Sequence, residues 1–180
     1  MTTVLVTGAH CVGADILNVD VFANAGVRML GVAHFFDNDL GGSSSGLKKI
    51  GLTEYGKQVV ERAQRKGMFI DVAHASPATI DDVVRLASRP VINSHTGFQG
   101  QCNSPRNLDD QRAIAIAKTG GLLGVGFFQP AICEETVSAI VDSIQYGIQL
   151  VGEEHITLGS DYDGSVSVRT SVPALAHARH

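Results

Sequence analysis

Short runs of β-branched and aliphatic residues alternate along the chain with longer stretches whose apolar positions recur every three or four residues. The short runs fall at 4-8, 28-33, 68-73, 90-94, 121-127 and 156-160, and each is expected to form a strand. Helical periodicity occupies 53-66 (TEYGKQVVERAQRK), the segment after Ser76-Pro77, the segment after Asn107, and 136-151 (TVSAIVDSIQYGIQLV). Strand followed by helix, repeated, predicts an α/β fold of parallel βα units.

The helix ends carry physical signals. Ser76 offers a capping hydroxyl and Pro77 fills the first helical position, so a helix is expected through Ile80, Val83, Val84 and Leu86 towards the pre-proline Arg89. Asn107 is expected to cap the next helix, with Asp109 and Asp110 in its first turn and Gly120-Gly121 ending it. The stretch DNDLGGSSSGLKKIG, 37-51, reads as a flexible loop inside one domain of residues 1-180, because the same rhythm continues on both sides. A closed (β/α)8 barrel needs eight strands and roughly 250 residues. Six strands in 180 residues therefore predict an open sheet or an incomplete barrel.

Composition narrows the function classes. An apolar share of 44% and a charged share of 18% suit a folded globular chain, and a net charge of -4 provides no basic face for nucleic acid or an acidic membrane. No apolar run is long enough to span a bilayer, and the N-terminus lacks the layout of a signal peptide, so a cytoplasmic location is expected. Cys11, Cys102 and Cys133 form no CxxC pair, which disfavours a thiolate metal site and leaves buried or loop thiols as the reading of their spacing.

The start, VLVTGAH, imitates the first strand and glycine turn of a dinucleotide site. Its glycines, Gly8 and Gly13, fit neither GxGxxG nor TGxxxGxG, so an NAD(P)-dependent oxidoreductase is a remote alternative. A stronger signal lies at the strand ends. VAHFFDN places His34 after the second run, DVAHAS places His74 after the third, NSHTG places His95 after the fourth, and GSDYDG places Asp161 and Asp163 after the sixth. Any one of these has an ordinary reading as a hydrogen-bonded residue near a turn. Their recurrence at equivalent positions points to a shared hydrolytic metal site, since imidazole and carboxylate are the ligands of catalytic zinc. In the loop TGFQGQCNSPRNLDD, Arg106 stands just before a helix start, where a guanidinium can grip a substrate carboxylate.

With these residues in view, the stretch GLTEYGKQVVERAQRKGMFIDVAHASPATIDDVVRLASRPVINSHTG, then CNSPRNL and GSDYDG, resembles the membrane (renal) dipeptidase family of zinc peptidases, from about Val4 to Ala174. The resemblance implies a TIM (β/α)8 barrel of the metal-dependent hydrolase type, of which this chain looks like strands three to eight without the first two strands and the C-terminal helices. It implies hydrolysis of dipeptides by a zinc-activated water. His74 and His95 match two metal-holding histidines, His34 a histidine that contacts substrate and steadies the oxyanion, Arg106 the residue binding the dipeptide's terminal carboxylate, and Asp161 the acidic residue that moves protons. Two departures are expected to matter. The H-x-D motif of the family's first strand has no counterpart in this chain, and Thr7, in Thr7-Gly8-Ala9-His10, stands where the family has a metal-bridging glutamate. At most one of the family's two zincs is therefore expected to be well held. A degenerate relative that binds carboxylated small molecules without turnover is the alternative. The resemblance also admits a homodimer, and a Cys102–Cys133 disulfide as at nearby positions of some secreted relatives.

Overall fold

Six parallel strands run side by side in the order of the sequence, each hydrogen-bonded to its predecessor. The computed structural model describes residues 4–134, 136–162 and 164. The strands are β1 (Val4–Val6), β2 (Val27–Gly31), β3 (Phe69–Asp71), β4 (Val91–Thr96), β5 (Leu122–Val125) and β6 (Ile156–Leu158). Between and after them come helices α1 (Asn18–Asn24), α2 (Glu54–Arg65), α3 (Pro77–Arg85), α4 (Asp110–Lys118), α5 (Gln129–Ile132) and α6 (Val137–Val151).

A strictly sequential strand order separates the two architectures that the sequence leaves open. A doubly wound sheet reverses its strand order at a switch point. This sheet has no reversal, which is the order of a barrel wall. Along it Leu30 pairs with Ile70, Ile70 with Val91, and Leu123 with Ile156. Leu30, Ile70, Val91 and Leu123 are buried at the middle of the sheet, whereas Leu158 of the edge strand β6 is exposed.

All six expected strands are present, mostly shortened at their ends. Ser76 accepts a hydrogen bond from the Thr79 amide and Pro77 opens α3 as expected. Thr53 and Thr136 cap α2 and α6 in the same way. The expectation for α4 is corrected: Asp109, not Asn107, accepts the capping bond, from the Arg112 amide. Asn107 is drawn inward, where its Nδ2 donates to the carbonyls of Cys102 and Ala131 at 2.8 and 2.9 Å. Helices α1 and α5 were not expected. Leu17 and Val21 at α1 are exposed, which blurs its apolar period, and α5 is a single turn.

The 37–51 segment is likewise tied down rather than loose. The Asp37 carboxylate accepts from the amides of Ser43 and Lys48 at 2.9 and 2.8 Å, and the Gly42 carbonyl accepts from the Ser76 amide at 2.8 Å. A side chain at Gly42 would put its Cβ 2.2 Å from the Ile50 carbonyl oxygen, so only glycine allows the two stretches to meet. Among the described residues no helix is long and apolar enough to cross a membrane.

Candidate active site

The C-terminal ends of β2, β3, β4 and β6 deliver His34, His74, His95 and Asp161 to one cleft of about 770 Å³, also lined by Thr7 and Arg106. The candidates spread across the sequence are thus brought together at the edge where parallel βα folds collect their chemistry. Asp163 lies outside the described residues.

His74 is the pivot. Its backbone takes the left-handed conformation, φ 64°, which a non-glycine residue adopts only when its surroundings hold it there. The Ser44 amide donates to its carbonyl at 2.7 Å, so the 37–51 segment helps to hold the turn. The turn aims the imidazole across the cleft, where its Nε2 lies 2.9 Å from Nε2 of His95. The His34 ring packs edge-on against His74 at a centroid distance of 4.6 Å.

Burial, with the nearby Arg106 charge, pushes His74 down to about 2 and His95 down to about 3. Both imidazoles are therefore neutral at ordinary pH and retain a lone pair, the state a metal requires. Nδ1 of His74 is buried without a hydrogen-bond partner.

Arg106 reaches the same point from the loop after β4. Its Nη2 donates to the His95 carbonyl at 2.7 Å and its guanidinium lies 5.8 Å from the Phe128 ring centre. Burial lowers it to about 10, which leaves it cationic at neutral pH. The nearby Asp71 and Asp161 charges favour its cationic form. Asp161, at φ 58°, also holds a left-handed backbone. Its Oδ2 stands 4.0 Å from His95 Nε2, and burial raises its carboxyl above the usual range against the pull of Arg106 and His34.

Two polar residues behind the histidines were not singled out by sequence. Asp71, at the end of β3, is 1% exposed. Its Oδ1 accepts from the amides of Ala73 and Ser94, both at 3.0 Å, and its Oδ2 lies 2.6 Å from the Ser94 hydroxyl. That hydroxyl is 2.8 Å from His95 Nδ1. Burial raises the Asp71 carboxyl while these donors and Arg106 favour its charged form. Gly124 of β5 packs against this corner, where an added Cβ would lie 2.1 Å from the Ser94 carbonyl. A carboxylate inside the apolar run MFIDVA was the visible signal for Asp71. Phe35 and Phe128, which wall the cleft, carried no sequence signal beyond their apolar character.

Cys102 and Cys133 are joined, with Cα atoms 5.5 Å apart, which overturns the reading of their spacing as separate thiols. The bond ties the loop carrying Arg106 to the end of α5. Cys11 is free and exposed.

A metal fits this donor set in part. Two neutral imidazoles converge on one point with Asp161 beside them. Among the described residues, however, no group of three His, Cys, Asp or Glu side chains is arranged to hold an ion. Thr7 lines the cleft with a hydroxyl, a poor partner for a divalent cation beside a carboxylate.

The nucleotide alternative does not survive this geometry. After β1 the chain enters a four-residue 3-10 turn, Ala9–Val12, and no α-helix N-terminus follows Gly8 to receive a pyrophosphate.

Comparison with known proteins identifies the family and its fold. Residues 2–174 match the sequence model of the membrane dipeptidase family, peptidase family M19. A protein encoded in the pqqA 5′ region of Klebsiella pneumoniae is 32% identical over 179 residues, covering 89% of this chain and 66% of the relative. A dipeptidase of Schizosaccharomyces pombe is 31% identical over 168 residues, covering 88% of this chain and 40% of the relative. The crystal structure of a metallopeptidase from Rhodobacter sphaeroides, liganded with a phosphinate mimic of the dipeptide L-Ala-D-Ala, superposes with a TM-score of 0.80 at 27% identity. That superposition covers 97% of this chain and 55% of the other. The chain thus spans only part of the length of each of these relatives.

Proposed function

Given that the chain belongs to the membrane dipeptidase family, peptidase family M19, we propose that residues 1-180 form part of a (β/α)8 barrel domain whose cleft hydrolyses the peptide bond of dipeptides. The observation that carries this reading is the meeting of His74 and His95 at 2.9 Å in the cleft that also holds Arg106.

In this reading His74 and His95 hold the zinc that belongs with the family. Zinc, when bound, acidifies a water and polarises a carbonyl. The remaining work falls to the chain's own side chains. Arg106 receives the terminal carboxylate through parallel N–H bonds and so fixes which carbonyl faces the histidines. His34 donates to the carbonyl oxygen as negative charge develops there. Asp161, whose carboxyl is raised by burial, takes a proton from the attacking water and passes it to the departing amine. Phe35 and Phe128 exclude water from the reacting bond.

Thr7 at the expected bridging position supports a second reading, a relative that binds carboxylated small molecules through Arg106 without turnover. Metal analysis combined with a dipeptide hydrolysis assay separates the two. Hydrolysis that disappears in His74→Ala and His95→Ala supports the enzyme. Dipeptide binding without hydrolysis supports the second reading.

A further inference from the structure

Asp71 is a buried carboxylate to which the proposed chemistry gives no part, yet its hydrogen bonds reach towards both histidines. One oxygen, Oδ1, accepts from the Ala73 amide, in the turn that ends at His74, and from the Ser94 amide, next to His95. The other, Oδ2, faces the Ser94 hydroxyl at 2.6 Å, and that hydroxyl faces His95 Nδ1 at 2.8 Å.

The proton count along this line has one consistent solution when Asp71 is ionised. An ionised carboxylate only accepts, so the single Ser94 hydroxyl proton points to Oδ2. The hydroxyl oxygen must then accept from His95 Nδ1, which makes Nδ1 the protonated nitrogen of His95 and leaves a lone pair on Nε2. The contact at 2.9 Å between the two Nε2 atoms needs one proton, which must come from His74. His74 Nδ1 is then a bare lone pair, in keeping with its having no partner. An unpaired buried acceptor is tolerated more readily than an unpaired buried donor.

We propose that Asp71 is a positioning residue of the site: through Ser94 it fixes the tautomer of His95 so that Nε2 keeps its lone pair, which faces His74 Nε2 in the metal-free cleft, and through the Ala73 amide it fixes the turn that delivers His74. A ligating imidazole is commonly oriented by an acceptor on its other nitrogen, and loss of such an acceptor typically weakens metal binding about 10- to 100-fold. Here the acceptor is a serine hydroxyl whose own proton is claimed by a carboxylate on the neighbouring strand. The metal-binding consequence rests on the proposed role of His74 and His95, whereas the tautomer assignment does not.

The test reads tautomers first, by imidazole nitrogen NMR of the folded, metal-free chain. The wild type should show His95 protonated on Nδ1 and His74 on Nε2. Asp71→Asn keeps the shape and the Oδ1 acceptor but turns an N–H towards Ser94, which frees the hydroxyl proton for His95. His95 should then switch to the Nε2-protonated form. Ser94→Ala should leave a mixture of tautomers, and Ser94→Thr should restore the wild-type form. Zinc titration of the same samples should show roughly 10- to 100-fold weaker binding in Ser94→Ala and recovery in Ser94→Thr. A wild-type His95 protonated on Nε2, or a folded Ser94→Ala variant with an unchanged tautomer, would overturn the proposal. Absence of zinc binding in the wild type alongside the expected tautomers would count against the metal reading alone.

Discussion

The Nε2 atoms of His74 and His95 lie 2.9 Å apart although the residues are carried by different strand ends and one of them requires a left-handed backbone. Such a contact holds two neutral imidazoles against one point in the cleft, one donating to the other, and its cost in burial and backbone strain falls where a function can use it. Acid should expose that cost. The folded chain holds both imidazoles neutral to about pH 3 or below, while the unfolded chain protonates them near the ordinary 6.5. Unfolding therefore takes up protons below that value, so the stability of the metal-free chain is full above about pH 6.5 and falls as pH drops. The loss should steepen as pH drops below 6.5, with both histidines contributing. Urea unfolding at pH 7.5, 6 and 5 checks this, and His74→Gln should flatten the dependence.

Arg106 should discriminate for a free carboxylate. Arg106→Lys keeps the charge but loses the planar fork, so dipeptide affinity should fall about 10- to 100-fold, while affinity for the matching C-terminal amide should hardly change. Calorimetric titration with both ligands checks the difference. An equal loss for both would remove Arg106 from carboxylate recognition.

The Cys102–Cys133 bond closes a loop over a sequence separation of 31. In the chain-entropy account, opening it should cost about 3–4 kcal/mol, read as a lower urea midpoint in dithiothreitol. The same treatment should weaken carboxylate binding, because the bond tethers the loop that carries Arg106.

Much of this arrangement was legible in the sequence, because strands of a parallel sheet form short apolar, β-branched runs and a strand end can be counted to within a few residues. His34, His74, His95 and Asp161 were visible for that reason: each follows such a run at a similar offset. The helix cap at 109 was misread because Asn107 and Asp109 are both competent acceptors two residues apart. The choice between them is made by the Cys102 and Ala131 carbonyls, which claim the Asn107 amide. The 37–51 segment has the composition of a flexible loop, and its order comes from the Asp37 and Asn38 side chains together with contacts to residues of the β3–α3 connection. Nor does a residue string reveal that His74 adopts φ 64°, since that conformation is imposed by neighbours from other segments.

Thr7 offers a gain-of-function test. It shares the cleft with both histidines, and Thr7→Glu would add the carboxylate that a divalent cation favours. Zinc affinity should rise at least about 10-fold. Unchanged affinity in a folded variant would remove Thr7 from the metal-binding part of the cleft.

The most direct measurement of the central claim is a calorimetric zinc titration of the folded chain, run beside the His74→Ala, His95→Ala double variant. The account predicts saturable zinc binding by the wild type that vanishes in the double variant while its fold, followed by circular dichroism, persists. Zinc binding that survives the loss of both imidazoles, or no binding by the folded wild type, would contradict it.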